Sequence, residues 1–340
     1  MSDTFSLEVD GPIEISAQTF MRRYLNANDM TALLDLHQLV FGQPLDAPWY
    51  EWKYSKRPQA GVGLWSPQGD LIAHCGGVPR TVYVYGKSQA ALQICDVMVH
   101  PNWRGILTRH GPFYSVSHAL YQSQIGLQGP YTMGFGFPSA RHLRLAQKLG
   151  LLNDAGHMWE LAWEKPQATL DWYWQGQELQ EGHPLWRQII DRSWRHMQQE
   201  SRFLILGARD TLYVRERYLQ HPRYQYHFRA LKRPWAKYPD GVAVWRYTDA
   251  QCKEILWVDW IGPPSLMTKA QRMMSSHAAT LQVNRLSAWA SATISQVLSQ
   301  DCQHLASIAS CGIVSTTSAI NHHALVSAPW WWMAGDTDFL

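Results

Sequence analysis

The stretch from Leu92 to Gln124 constrains the fold more than any other part of this chain. Leu92-Gln93-Ile94-Cys95-Asp96-Val97-Met98-Val99 is an apolar run of strand length that stops at His100-Pro101. A loop follows, Asn102-Trp103-Arg104-Gly105-Ile106-Leu107-Thr108-Arg109-His110-Gly111, and then Pro112. Proline suits the first turn of a helix, where its missing N–H is not needed, and Gly111 can serve just ahead of it. The pattern predicts a strand, an Arg-Gly loop and a helix over 112–125. Such a loop aims free backbone N–H groups at a ligand, and the helix dipole adds to the attraction for an anion.

The flanking segments extend this into an α/β pattern. Asn26-Ala27-Asn28-Asp29 offers helix caps ahead of Leu33, Leu34, Leu36, Leu39 and Val40, and Gly42 and Pro44 end that helix. Short β-like runs follow: Val62 to Trp65, Leu71 to Gly77 and Thr81 to Tyr85, with turns at Pro67-Gln68-Gly69-Asp70 and Gly86-Lys87. Beyond residue 125 come a strand at Tyr131 to Phe137, a helix at Ser139 to Lys148 stopped by Gly150, and a strand at Met158 to Trp163.

The pattern then starts again. Arg217-Tyr218 with His221-Pro222 echoes Lys53-Tyr54 with Arg57-Pro58, and Gly241 to Trp245 echoes Gly61 to Trp65. Glu254 to Trp260 echoes Gln93 to Val99, the spacing from Asp259 to Pro264 equals that from Asp96 to Pro101, and Leu305 to Gly312 echoes Leu143 to Gly150. The shared order implies an internal duplication. The expected layout is a flexible leader at 1–16, a first domain at 17–165, a helical connector at 166–200 and a second domain at 201–340.

Composition removes several classes of function. With 340 residues there is room for two ordinary domains, and 46% hydrophobic against 17% charged residues is a globular balance. A net charge of +3 gives no electrostatic case for nucleic acid or a membrane surface. The five cysteines are scattered without a CxxC pair, which argues against a disulfide framework and structural zinc. The first residues lack the basic and apolar regions of a signal peptide, and no apolar run approaches the ~20 residues of a membrane span. The expectation is a reduced, cytoplasmic protein. The 18 Trp fill cores and strand faces for the most part, with clefts or interfaces as the alternative.

The segment Asp96-Val97-Met98-Val99-His100-Pro101-Asn102-Trp103-Arg104-Gly105 resembles the fourth strand and acyl-CoA loop of the GNAT acyltransferases. Phe135-Gly136-Phe137-Pro138, with Leu145 to Leu149 and Gly150-Leu151, resembles that family's fifth strand and following helix. The two-copy layout, ending in Trp330-Trp331-Trp332-Met333-Ala334-Gly335-Asp336-Thr337-Asp338, is similar to tandem GNAT proteins of bacteria. The resemblance implies two fused α/β domains, each a mixed twisted sheet flanked by helices. It implies acetyl-CoA or a longer acyl-CoA as co-substrate. It places Val97, Met98 and Val99 along the thioester arm, and the phosphates on Arg104, Gly105, Ile106, Leu107, Thr108, Arg109, His110 and Gly111. The sequence departs from the family pattern in two places. Leu107 and Arg109 stand where the usual loop has small residues, and Ala146 stands at the place of the general-acid Tyr.

Several side chains admit a catalytic and a structural reading. Asp96 is the candidate catalytic base, or a buried acid pinning a loop; the echo at Asp259, in a copy with no phosphate loop, favours the second. His74 faces an acceptor or is a satisfied strand His. His322-His323 as strand neighbours point to opposite faces, so no metal is expected. Asp336 and Asp338 are turn residues or acceptor contacts. Tyr83, Tyr85, Trp103 and Trp330 to Trp332 line a cleft or pack. In the second domain Ile261-Gly262-Pro263-Pro264-Ser265-Leu266 replaces the Arg-Gly loop and offers few N–H donors. That half is expected to bind no CoA and to complete an acceptor cleft with Trp257, Trp260, Trp289 and Trp330 to Trp332.

The resulting function is acyl transfer from a CoA thioester to an amine of a small molecule or peptide. The alternatives are a non-catalytic tandem GNAT-like binding protein and a carrier-protein- or aminoacyl-tRNA-dependent transferase.

Overall fold

A computed structural model describes residues 9–55, 61–127, 129–168, 171, 173–248, 251–299, 302–315 and 322–337. Two compact units emerge, and neither is one contiguous stretch of chain. The first comprises 1–81, 89–155 and 310–327, and the second 82–88, 156–309 and 328–340.

The first unit holds β1 (Gly11–Ile15), β2 (Gln18–Tyr24), α1 (Met30–Phe41), α2 (Ala47–Tyr50), β3 (Gly61–Trp65) and most of β4 (Leu71–Val84) and β5 (Lys87–Val99). It continues with α3 (Pro112–Gln124), β6 (Met133–Gly136), α4 (Ala140–Lys148) and the start of β7 (Leu152–Glu164). Its strands follow the order β1-β2-β3-β4-β5-β6, antiparallel from β1 to β4 and parallel from β5 to β6. Residues from the far end of the chain complete it, with Gly312 opposite Gly136 and Ile313 opposite Phe135 in antiparallel register.

Two apolar clusters cover this sheet. Leu64 and Ile94 pack with Phe113, Val116 and Leu120 of α3 and Leu143 of α4. Their chain neighbours Trp65 and Cys95 pack with Leu33 and Leu36 of α1 and Trp49, Tyr50 and Tyr54. Successive strand residues point to opposite faces, so the two clusters lie on opposite sides of the sheet.

The second unit begins with β8 (Gln175–Glu178), α5 (Trp186–Glu200), β9 (Ile205–Gly207), α6 (Thr211–Val214), β10 (His227–Lys232), β11 (Gly241–Tyr247) and β12 (Glu254–Ile261). Then come α7 (Met267–Thr280), β13 (Arg285–Ser291), α8 (Ala292–Leu298), the larger part of β14 (His304–Val314) and β15 (Trp330–Trp331). Helix α9 (His322–Val326) belongs to the first unit. The order is β7-β13-β12-β11-β10-β8, with β12 and β13 parallel and the other pairs antiparallel. Ile190, Trp194 and Met197 of α5, Met274 of α7 and the strand residues Trp257 and Val258 form its own core.

The duplication is visible in element order. Each unit runs from a capped single turn of α-helix into a turn of π-helix, Glu51–Ser55 and Arg215–Leu219. Asp46 accepts from the Trp49 N–H, and Asp210 accepts from the Tyr213 N–H, at identical offsets. Three strands follow, then a short 3-10 turn opened by Pro101 or Pro264, then α3 or α7.

Four expectations require correction. Residues 11–15 are a strand and not a loose leader, because Ile13 and Ile15 alternate with Glu14 and Ile15 is buried against β2; residues 1–8 lie outside the described residues. The connector is helical only from Trp186, and Gln175–Glu178 is an edge strand. Gly61 to Trp65 corresponds in element order to β10, not to Gly241 to Trp245. Leu143 to Gly150 is helix α4 and its cap, whereas Leu305 to Gly312 is strand, so the counterpart of α4 is α8. Arg57-Pro58 lies outside the described residues.

Candidate active site

The loop after β5 has the expected form. Residues 101–103 make a 3-10 turn, and Arg104 folds back so that its Nε donates to the Val99 carbonyl at 2.9 Å. Arg104, Gly105, Leu107, Thr108, Arg109 and His110 are exposed, Ile106 is half-buried and Gly111 is buried. Helix α3 starts at Pro112 with Gly111 as its cap residue and no side chain capping it. The first-turn N–H groups therefore have no intrahelical acceptor. Arg22 and Arg109 add positive charge here: burial foremost, and then these two cations, push His118 below its ordinary value.

The two loop glycines differ in kind. A Cβ added at Gly111 would sit 2.0 Å from the Ile106 carbonyl oxygen, while one at Gly105 meets nothing within 4 Å. Gly111 is thus required by the loop's own closure, and Gly105 leaves an open backbone face. Gly111→Ala is expected to lower stability by roughly 1–3 kcal/mol, the range for overpacking at a fixed backbone. A thermal melt checks it; an unchanged midpoint refutes the close approach.

Beside the loop, β5 parts from β6. Their parallel pairing runs from Ala91 opposite Met133 to Ile94 opposite Gly136 and stops there, while β5 continues to Val99. Residues 95–99 therefore have a strand edge that β6 has left. Met98 is buried toward α1 and α2, and Val97 and Val99 pack partly on the other cluster.

Asp96 lies at the head of this edge with φ 46°, a left-handed backbone inside a strand. Such a conformation costs a non-glycine residue about 1–2 kcal/mol. Its carboxylate is nearly buried, 2.8 Å from Lys53 Nζ, and accepts a hydrogen bond from the Tyr54 hydroxyl. Its carbonyl oxygen is 2.8 Å from His74 Nδ1. Burial pushes the Asp96 carboxyl up, but the Lys53 charge and the Lys53 and Tyr54 hydrogen bonds outweigh it and hold the group below the usual range. Burial also drops His74 to about 4, so its ring is neutral and its Nδ1–H donates to Asp96. The echo of Lys53-Tyr54 at Arg217-Tyr218 has a structural basis. In both copies this tyrosine reaches the strand aspartate: the Tyr218 hydroxyl donates to Asp259 at 2.7 Å.

Among the described residues the second unit shows no matching opening. Pairing of β12 with β13 ends at Trp257 opposite Ala288 while β12 runs on to Ile261. Met333 then bridges to Ala290 on β13, and the Ser291 N–H donates to the Trp332 carbonyl at 2.9 Å. The chain's own residues thus take the place that stays open beside β5. Asp259 is held by Arg209, which also pairs with Asp336.

Most of the tryptophan candidates are packing residues. Trp257, Trp260 and Trp330 to Trp332 are core side chains, so they do not wall a cleft; Trp289 is half-buried. Trp103 meets Phe20 edge-on, Tyr83 meets Trp194, and Tyr85 is an exposed turn residue at φ 50°. Ala146 is buried in the core and supplies no proton donor. His322 and His323 begin helix α9 rather than a strand, and among the described residues no cluster of His, Cys, Asp and Glu could hold a metal. Asp336 is buried on Arg209, and Asp338 lies outside the described residues. No helix among the described residues is long and apolar enough to cross a membrane.

Residues 22–122 match the family model described as an acetyltransferase (GNAT) domain. No curated protein matches the chain. Among solved structures, the fold is similar to a probable N-acyltransferase of unknown function from Enterococcus faecalis, with TM-score 0.63 and 13% identity over 87% of this chain and 72% of that one. It is similar to a GCN5-related N-acetyltransferase from Kribbella flavida, with TM-score 0.63 and 12% identity over 87% and 71%. It is also similar to Saccharomyces cerevisiae N-myristoyltransferase, solved with bound myristoyl-CoA and inhibitors, with TM-score 0.59 and 10% identity over 94% and 86%. The GNAT family model thus covers residues 22–122, less than half of the chain, and the likeness to the solved structures is one of fold.

Proposed function

We propose that the chain transfers an acetyl or longer acyl group from a CoA thioester to an amine of a small molecule or peptide, at the first unit. The observation that carries this is the opening of β5 from β6 beside an Arg-Gly loop and a bare helix N-terminus. A pantetheine arm carries amides that can pair with the edge of Val97, Met98 and Val99. Pyrophosphate suits the N–H groups of the loop Arg104 to Gly111 and the α3 dipole. Gly105, which the fold itself does not require, leaves room for close approach.

The amine attacks the thioester carbonyl, the carbonyl oxygen gains charge, and collapse expels the CoA thiolate. Backbone N–H groups of the strand edge polarise the carbonyl. Asp96 is the one acid on this strand, yet a base works best with its pKa near the working pH. A carboxylate neutralised by Lys53 and held below its usual range is a weak base, so Asp96 serves by position. With Ala146 on α4 and Asp96 neutralised by Lys53, water takes the proton that the attacking amine sheds and supplies one to the leaving thiolate. The second unit lacks both loop and opening, and contributes no CoA site.

Arg104→Glu tests the reading. It replaces a cation at the loop with an anion and is expected to weaken CoA binding by at least ~1 kcal/mol, the scale of one charge-assisted hydrogen bond. Calorimetry of CoA with wild type and variant measures it. Equal affinities, or two CoA equivalents per chain, would refute the assignment. Mass spectrometry of copurified acyl-CoA gives the acyl length.

A further inference from the structure

We propose that Lys53, Tyr54 and His74 are positioning residues that clamp Asp96 in its left-handed conformation, and so aim the Val97 N–H at the thioester carbonyl. The inference deepens the acyltransferase reading and rests on it.

Among the described non-glycine residues with positive φ, Asp96 is the one inside a strand; Ser16, Ala17, Tyr85, Lys165, Cys252 and Gln282 sit in turns or just past element ends. A strained residue persists only where its surroundings over-determine it. Here three contacts do so from two elements. Lys53 and Tyr54, on the π-turn after α2, hold the carboxylate. His74, on β4, holds the carbonyl. The chain has no cis peptide among the described residues. In a planar trans peptide the C=O and the following N–H point in opposite directions. With the Asp96 carbonyl turned to His74, the Val97 N–H is turned away from it, on the stretch of β5 that β6 no longer pairs.

The second unit shows what the clamp adds. Tyr218 holds Asp259 as Tyr54 holds Asp96, yet Asp259 has no left-handed backbone. The tyrosine–aspartate tie is common to both copies. In the second copy Trp257, on the same strand, donates its Nε1–H to the Asp259 carbonyl at 2.8 Å, whereas a histidine from the neighbouring strand on the carbonyl and the inverted φ belong to the copy with the open strand edge.

The test uses acetyl-CoA carrying carbon-13 at the thioester carbonyl, and the infrared band of that carbonyl when bound to the full chain. A directed N–H polarises the carbonyl and lowers its stretching frequency. Wild type is expected to show this downshift. His74→Leu and Tyr54→Phe are expected to lose most of it while CoA affinity stays unchanged. His74→Asn, which keeps an N–H donor near the Nδ1 position, is expected to restore it. Tyr54→Phe removes only a hydroxyl and keeps the test available where His74→Leu does not fold. A full downshift in either folded variant overturns the proposal. Wild type that binds CoA but leaves the acetyl carbonyl unshifted also overturns it, with the acyl-CoA site standing. Wild type that binds no CoA removes the site and the clamp together.

Discussion

Arg209→Met is expected to leave the chain without a stably folded second unit. Arg209 is fully buried, and its guanidinium donates to Asp259 at 2.8 Å, to the Gly207 carbonyl at 2.8 Å and to Asp336. Burial opposes its charge, but the two carboxylates outweigh that and hold it firmly protonated. Methionine fills similar volume and strands two carboxylates away from water. Removing one partner of a buried pair costs about 3–5 kcal/mol, against a total stability of about 5–15 kcal/mol for a domain. Asp336 also accepts the Met333 N–H, so the segment beside β13 loosens as well. Guanidinium unfolding followed by circular dichroism should show an early transition. Arg209→Lys keeps the charge but loses the fork, and should fall between. A wild-type profile for Arg209→Met would show that the acids are neutral and the ion pairs unimportant.

The second large effect is loss of stability between pH 6.5 and 4. His74, His142 and His277 are each dropped to about 4: by burial alone for His142, by burial and then the Arg229 and His227 charges for His277, and by burial for His74, where the opposing pull of Asp96 is outweighed. Below the ordinary value of 6.5 the unfolded chain takes up protons that the folded chain refuses. Stability therefore rises with pH through this window and is fully present above it. For the fully buried His74 the loss at pH 5 is about 2 kcal/mol from the difference between 6.5 and 4. Asp96 works in the same sense but in a lower window. Its carboxyl is held below 3.8, so its contribution persists down to that range and is lost only as pH falls through its own lowered value. The histidines alone of these groups then govern the descent from pH 7.5 to 5. Guanidinium midpoints at those two values measure it, and equal midpoints would show the three rings open to water.

What could be read from sequence was local. Pro112 fixed the start of α3, and Gly150 at φ 75° ended α4. What could not be read was pairing at a distance. Nothing in Ser310 to Val314 says that its neighbour is β6, because one short apolar strand fits many sheets. The tryptophans misled for the same reason: an indole reads as core or as cleft wall until its neighbours are known. Lys53 and Tyr54 were visible as a repeated pair, but their target lies some forty residues on. Only the fold shows that a lysine there meets an acid rather than water.

The exchange of segments between the units bears on how the chain must be made. The outer edge of β6 is covered by Gly312 and Ile313, which lie roughly half the chain length further on. At a synthesis rate of about 5–20 residues per second, the partner emerges on the order of ten to thirty seconds after β6. During that interval the nascent first unit presents an unpaired strand edge, the kind of surface that joins other chains. A fragment ending near residue 165 would keep that edge for good, and would fail for a reason unrelated to catalysis. The minimal unit that can close its own sheet is nearly the whole polypeptide.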